Sequence, residues 1–355
     1  MKKKKLLHIV EAFGGGVYTF LVAMANAACE EYEVTVLYGI RKQTPENIEA
    51  DFDPRVKLIH AKTFVRSINP GKDLGSFFEI RKYVRKIKPD VVHLHSSKSG
   101  IMGRLAINCE KTKVFYTPHG YSFLKEDDPW LKREIYYHIE RFAGMAKAKT
   151  IAVSKGEYDV ACLITKRCTY VNNGIEIPKN KLMSHPAINT TNPVIATLGR
   201  ISYQKNPKTF NEIAEAFPEL KFVWIGDGEL RDQLTSKNIE ITGWKNHNEA
   251  IEELIKCDIF LLPSIWEGLP ISLLEAMYLG KICLVSNIIG NRDVIKTATN
   301  GFIADKLEDY IQIIKDIIAG NYMISDITKT AYMDIMKEYN TDVMTKKYLE
   351  IYRLT

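Results

Sequence analysis

Short apolar runs alternate with amphipathic stretches along the first half of this chain. Residues 6–11 read as a buried strand, followed by Gly14-Gly15-Gly16 and a helical pattern over 17–30. Strand patterns recur at 34–38 and 56–60, and an amphipathic helix is predicted over 74–87, stopped by Pro89. Further strands are expected at 90–95, 114–117 and 150–153. Strands alternating with helices predict a parallel sheet covered by helices on both faces.

The pattern breaks at the polar stretch 179–193 and then restarts. Strands are expected at 194–198, 221–225, 240–241, 259–262 and 282–285, with helices at 208–216, 228–234, 249–255 and 272–279 between them. The fold class predicted is α/β, with two doubly wound Rossmann-like domains facing a central cleft at the carboxyl ends of their strands. The domains are placed at 1–180 and 190–339. A final helix within 340–355 carries Met344, Tyr348, Leu349 and Tyr352 on one side and is expected to return to the first domain.

Composition adds limits. At 355 residues, with 46% hydrophobic and 26% charged positions, the chain has ample material for two cores. No apolar run is long enough to span a bilayer. The basic start Lys2–Lys5 is followed by too short an apolar stretch for a signal peptide, so a cytoplasmic chain is expected. Six cysteines without a Cys-x-x-Cys pair or a histidine cluster disfavour a zinc site or a disulfide framework, and Cys257 and Cys283 read as buried thiols. The net charge of +6 gathers locally: residues 62–98 hold nine basic and three acidic side chains. With Phe64, Phe77, Phe78 and Tyr83 interleaved, that segment suits either an anionic membrane surface or a solvated helix over an aromatic core face. It carries no nucleic-acid motif, and no nucleic-acid partner is expected.

The chemistry centres on Glu267 and Glu275, separated by seven residues in Trp266-Glu267-Gly268-Leu269-Pro270-Ile271-Ser272-Leu273-Leu274-Glu275. Glu267 should lie in the loop after a strand and Glu275 within the following helix. Backbone donors near Gly268, Leu269 and Pro270 would form a helix N-terminus that favours an anion between the two acids. At helical rise the carboxylates would stand roughly 12 Å apart, which suits a ligand with hydroxyls at both ends and a diphosphate between them. A nucleotide sugar has that layout. The plain alternative is an exposed loop acid followed by a helix acid.

Arg200 and Lys205 open the second domain in Gly199-Arg200-Ile201-Ser202-Tyr203-Gln204-Lys205-Asn206, at the end of its first strand. Two cations there suit a diphosphate, Arg as a fork of donors and Lys as a point charge; a solvated basic loop is the alternative. Gly15 and Gly16 would allow close backbone approach to a ligand, although a tight strand-to-helix turn needs the same residues. No Gly-x-Gly-x-x-Gly is present, which disfavours a nicotinamide cofactor. His119, in Thr117-Pro118-His119-Gly120-Tyr121, is placed at a strand end, and Asp227 and Trp244 follow two further strands where a base could sit. Asp51-Phe52-Asp53 could hold a divalent cation on a diphosphate, but its place before Pro54 reads as a polar loop. No metal and no tightly held cofactor are expected.

From the glycine loop through His119-Gly120, Gly199-Arg200 with Lys205-Asn206, and Gly226-Asp227-Gly228 to Glu267 and Glu275, the chain resembles the retaining glycosyltransferases of GT-B family 4, which includes sucrose synthase-like enzymes and mannosyltransferases. The resemblance implies that Arg200 and Lys205 neutralise the leaving diphosphate, Glu267 holds donor-sugar hydroxyls and Glu275 the ribose. It implies that His119 contacts the sugar near the reacting carbon, and that Gly15 and Gly16 approach the phosphates or the acceptor. Thr117-Pro118-His119-Gly120-Tyr121-Ser122-Phe123-Leu124 is similar to bacterial capsule and O-antigen transferases, which build on polyprenyl-diphosphate-linked sugars. Many relatives carry a Gly-Gly-x-Pro-Glu-like turn where this chain reads Ile289-Gly290-Asn291-Arg292-Asp293. The expected reaction moves a hexose or N-acetylhexosamine from a UDP-sugar to a lipid-linked saccharide, peripherally at the inner membrane face. A nucleotide-sugar 2-epimerase or hydrolase, and a non-catalytic nucleotide-sugar-binding subunit, are the rival classes.

Overall fold

A computed structural model describes residues 3–41, 44–64, 70–126, 128–178 and 187–354. The chain divides into two compact units, Met1–Glu176 with Thr341–Thr355, and Ile177–Asn340.

The first unit is built on a parallel sheet of β1 (Lys4–Val10), β2 (Tyr32–Tyr38), β3 (Lys57–His60), β4 (Val91–His95), β5 (Lys113–Thr117), β6 (Lys149–Ala152) and β7 (Cys168–Tyr170), in the order β3-β2-β1-β4-β5-β6-β7. Its helices are α1 (Gly15–Ala28), α2 (Pro70–Ile87), α3 (Ser97–Ala106), α4 (Trp130–Ala143) and α5 (Lys155–Ile164). The connection from β1 to β2 runs leftward across the sheet and those from β3 onward run rightward. Right-handed crossovers therefore put α1 on one face and α2 to α5 on the other. The central strands read as continuous apolar runs because helices cover both their faces.

The second unit has β8 (Ile195–Leu198), β9 (Phe222–Ile225), β10 (Ile239–Ile241), β11 (Ile259–Leu262), β12 (Ile282–Ser286) and β13 (Phe302–Ala304), ordered β10-β9-β8-β11-β12-β13 and all parallel. Around it lie α6 (Pro207–Ala216), α7 (His247–Ile255), α8 (Ile271–Tyr278), α9 (Asn291–Val294), α10 (Leu307–Ile318) and α11 (Ile324–Lys337).

The last helix, α12 (Thr341–Leu354), belongs to the first unit. Met344, Tyr348, Leu349 and Tyr352 are buried in the same core as Phe20, Leu21 and Met24 of α1. Tyr352 places its hydroxyl 2.5 Å from His93 Nδ1, and the Arg353 guanidinium grips the Glu31 carboxylate. Burying four large side chains and an aromatic hydrogen bond at one site outweighs the loop entropy of bringing the chain end back.

Several elements differ from the sequence expectation. The helix predicted over 228–234 is only a 3₁₀ turn at Arg231–Gln233; Asp227 there binds the Gly228 amide and the Arg231 guanidinium, which holds a turn instead. Strands β7 and β13 are three residues each, too short to register as periodic runs. The linker 179–193 lies outside the described residues over 179–186, as does Arg66 of the basic segment. The aromatic residues of that segment do not form one stripe: Phe64 is buried and Phe78 is exposed. Asp51 and Asp53 are engaged by Tyr18 and Arg55, in keeping with a polar loop. All six cysteines are unbridged.

Candidate active site

In the first unit, candidate residues gather at the carboxyl ends of β1, β4 and β5, which are neighbours in the sheet. Gly15 opens α1 with φ +55°, where a side chain would be strained. Five residues on, Phe20 sets its ring edge-on to His119, centroids 4.8 Å apart. His119 itself has φ +53°, an uncommon conformation for a residue with a side chain. The buried Glu157 holds that turn. One carboxylate oxygen accepts from the Gly120 amide at 2.6 Å and the other from the Val153 amide at 2.8 Å.

His119 is not alone. His8 Nδ1 lies 2.9 Å from His95 Nε2, and His95 Nδ1 lies 3.2 Å from His119 Nε2. Beside them, His93 bonds Thr117 Oγ1 at 2.8 Å as well as Tyr352. Burial drives all four below the ordinary histidine range, His8 and His119 to about 3. They are therefore neutral near neutral pH, each with one N–H. His8 Nε2 has no partner among the described residues. The polarity that strands no buried donor runs from His8 Nδ1–H to His95 Nε2, and from His95 Nδ1–H to His119 Nε2. It leaves the His119 proton on Nδ1. Nitrogens of His8, His93 and His95 lie within 4.8 Å of one another, a spacing a metal could use. A metal there would have to break the His8–His95 pair or the bonds of His93. From the sequence only His119 stands out; the signal for the rest is His93 and His95, two apart on a buried strand and so on the same face.

In the second unit, Lys205 follows β8 and Glu267 follows β11, on either side of the point where the strand order reverses. Their side chains meet, Lys205 Nζ to Glu267 Oε1 at 2.7 Å, in a half-buried pair. Gln204 completes the group, donating to Glu267 Oε2 at 3.1 Å and to the Trp266 carbonyl at 3.0 Å. Arg200 is more exposed and pairs with Glu229 at 2.8 Å. Glycines let these loops stack backbone on backbone. A Cβ on Gly226 would come within 2.3 Å of the Gly199 carbonyl oxygen, and one on Gly290 within 2.4 Å of that of Gly268. Lys205 lies over Gly199 in turn.

The amides expected near Gly268, Leu269 and Pro270 fall slightly later. Pro270 is the N-cap of α8 and has no N–H, so the first helical amides are those of Ile271 and Ser272. Glu275 sits on this helix, buried, and burial pushes its carboxyl up to about 8. His247 Nδ1, at the start of α7, is 3.7 Å from Glu275 Oε1. Trp244 is exposed after β10, while Asp227 is tied into its own turn. The divergent 289–293 segment folds into α9, with Asp293 accepting from the Gly290 amide at 3.1 Å and Asn291 bonding Ser286.

Comparison with known proteins accords with this arrangement. Residues 14–178 match the Glycosyltransferase Family 4 profile and residues 178–333 the Glycosyl transferases group 1 profile. A UDP-Gal:alpha-D-GlcNAc-diphosphoundecaprenol alpha-1,3-galactosyltransferase of Escherichia coli is 29% identical over 84% of each chain. An N,N'-diacetylbacillosaminyl-diphospho-undecaprenol alpha-1,3-N-acetylgalactosaminyltransferase of Campylobacter jejuni is 24% identical over 96% of each. Among solved structures, sucrose-phosphate synthase of Thermosynechococcus elongatus superposes with a TM-score of 0.83 at 14% identity, covering 99% of both chains. Anabaena HepE in complex with UDP and glucose gives 0.77 at 16% identity, covering 98% of this chain and 99% of its own.

Proposed function

We propose that this chain, which belongs to family 4 of the GT-B glycosyltransferases, moves a hexose or N-acetylhexosamine from a UDP-sugar to a polyprenyl-diphosphate-linked saccharide, with retention and without a metal. The observation that carries the reading is the group formed by Gln204, Lys205 and Glu267 at the reversal of strand order. The nucleotide diphosphate takes the ammonium of Lys205, with Arg200 and the first amides of α8, those of Ile271 and Ser272, as further donors. Released from Lys205, Glu267 accepts hydroxyls of the donor sugar. Glu275 meets the ribose, and Trp244 and Asp227 border the base.

In the reaction the bond between the anomeric carbon and the phosphate oxygen breaks, and its electron pair leaves with the diphosphate. The acceptor hydroxyl bonds that carbon from the same face and passes its proton to the departing phosphate oxygen. Fixed cations aimed at the developing negative charge supply the largest acceleration. His119, with Gly15 and Gly16, serves the sugar and acceptor side, its proton held on Nδ1 by His95. Relatives named for diphospho-undecaprenol substrates support the lipid acceptor; such an acceptor calls for a place at the membrane, which we take to be its inner face.

The test is UDP release from a panel of UDP-sugars with a diphosphopolyprenyl saccharide. Lys205→Ala should lower turnover at saturating donor about a hundredfold, and an unchanged turnover refutes the assignment. Donor consumed equally well without acceptor would identify an epimerase or hydrolase instead.

A further inference from the structure

Two of the six cysteines meet at the edge of the first unit's sheet. Cys162 lies on α5 and Cys168 opens β7, and their Sγ atoms are 3.1 Å apart. Cys109, Cys257 and Cys283 instead turn their sulfurs to backbone carbonyls, and Cys29 is buried. Two periodicities place the pair. Tyr158 and Cys162 are four apart on α5 and lie one above the other on one helical face. Cys168 and Tyr170 are two apart on β7 and share one face of the strand. The seam between helix and strand therefore has two rungs, Cys162 on Cys168 and Tyr158 on Tyr170, the latter with ring centroids 5.6 Å apart. Both sides of the seam are anchored: β7 runs in register with β6 from Cys168 to Tyr170, and the Ser154 side chain caps α5.

Sulfurs this close need approach by only about 1 Å to reach a disulfide length of about 2.05 Å. Cys162 is exposed and Cys168 half-buried, so an oxidant in solution reaches Cys162 first. Lys166 and Arg167, in the turn between the two, are exposed and draw an anionic oxidant to the pair. The Cys168 thiol is pushed up to about 12 by burial and by its bond to Cys162. The second cause disappears once Cys162 is bonded elsewhere, which frees Cys168 to act in turn. The helix involved also bears on the active site. Glu157, five residues before Cys162, accepts from the Gly120 and Val153 amides, so α5 carries the acid that fixes the His119 turn.

We propose that Cys162 and Cys168 are a reversible disulfide site, oxidised by low-molecular-weight disulfides, that ties α5 to β7 and steadies the helix holding the His119 turn. The Cys162 thiolate attacks one sulfur of the oxidant, forming a mixed disulfide and expelling the other half as a thiolate. The Cys168 thiolate then attacks Cys162 Sγ and expels the second half. Two electrons pass from the protein to the oxidant, and the two thiol protons end on the two expelled thiolates.

Incubation of the full chain with oxidised glutathione, followed by unfolding, alkylation of the remaining thiols and peptide mass mapping, reads the bond directly. A Cys162–Cys168 bridge should form, the other four cysteines should be alkylated, and dithiothreitol should reverse the bridge. Cys168→Ser removes the resolving sulfur and should leave one glutathione on Cys162. In the bridged protein, hydrogen exchange along α5 should slow about tenfold or more. Wild-type protein that stays reduced, or that keeps glutathione on Cys162 without closing the bridge, overturns the inference. So does a bridge between any other two cysteines, or exchange along α5 that the bridge leaves unchanged. None of these readouts involves a sugar donor or an acceptor.

Discussion

Acidification should load the first unit through its buried histidines. His8, His93 and His95 are wholly buried and held neutral by desolvation, far below the value of 6.5 they regain on unfolding. A depressed native pKa stabilises above the unfolded value, and that contribution is lost as pH falls toward the native one. Between neutrality and about pH 5.5, each buried histidine therefore costs about 1.3 kcal/mol, about 4 for the three, with His119 adding up to about 1 more. That is a large share of a typical domain's stability of about 5–15 kcal/mol.

Glu275 works in the opposite sense. Its carboxyl stands at about 8 in the fold against 4.5 outside it. Its stabilising contribution is full below 4.5 and lost as pH rises through 8, so the second unit gains as pH falls. Potentiometry during complete unfolding in urea at about pH 5.5 reads the sum. The histidines take up about three to four protons and Glu275 releases about one, a net uptake of about two to three. In Glu275→Gln the uptake should rise by about one. Net uptake of one proton or fewer in that variant would refute the neutral, buried histidine chain.

Other outcomes follow from packing. Gly226→Ala puts a Cβ within 2.3 Å of the Gly199 carbonyl oxygen at φ +137°; it should cost about 3 kcal/mol or more, and an unshifted urea midpoint would contradict the backbone contact. Tyr352→Phe leaves His93 Nδ1 buried without its partner and should cost about 1–3 kcal/mol, read as a lowered melting temperature; an unchanged melt would show that this bond contributes nothing.

Much of the fold was legible along the chain. Parallel strands buried on both faces appear as apolar runs such as Val91–His95, and amphipathic helices such as α6 and α12 appear by their period. Glu267 and Glu275 were placed correctly in loop and helix because a strand run, a Gly-Leu-Pro break and a helical period follow one another in order. Helix α4 was less legible, because its inward face combines Tyr136 and Tyr137 with Glu140, whose partners Arg104 and Tyr116 lie far from it in sequence.

By itself the sequence determined the alternation of elements, the two units and the residue types at the strand ends, because these depend on local periodicity and on glycine and proline positions. Only the tertiary structure decided that Lys205 meets Glu267, that His119 ends a chain of histidines begun on β1, and that Tyr352 of α12 bonds His93. Those pairings join residues 24 to 259 positions apart. They exist because strand order brings distant carboxyl ends side by side, and strand order is chosen by burial summed over the whole unit rather than by any local pattern.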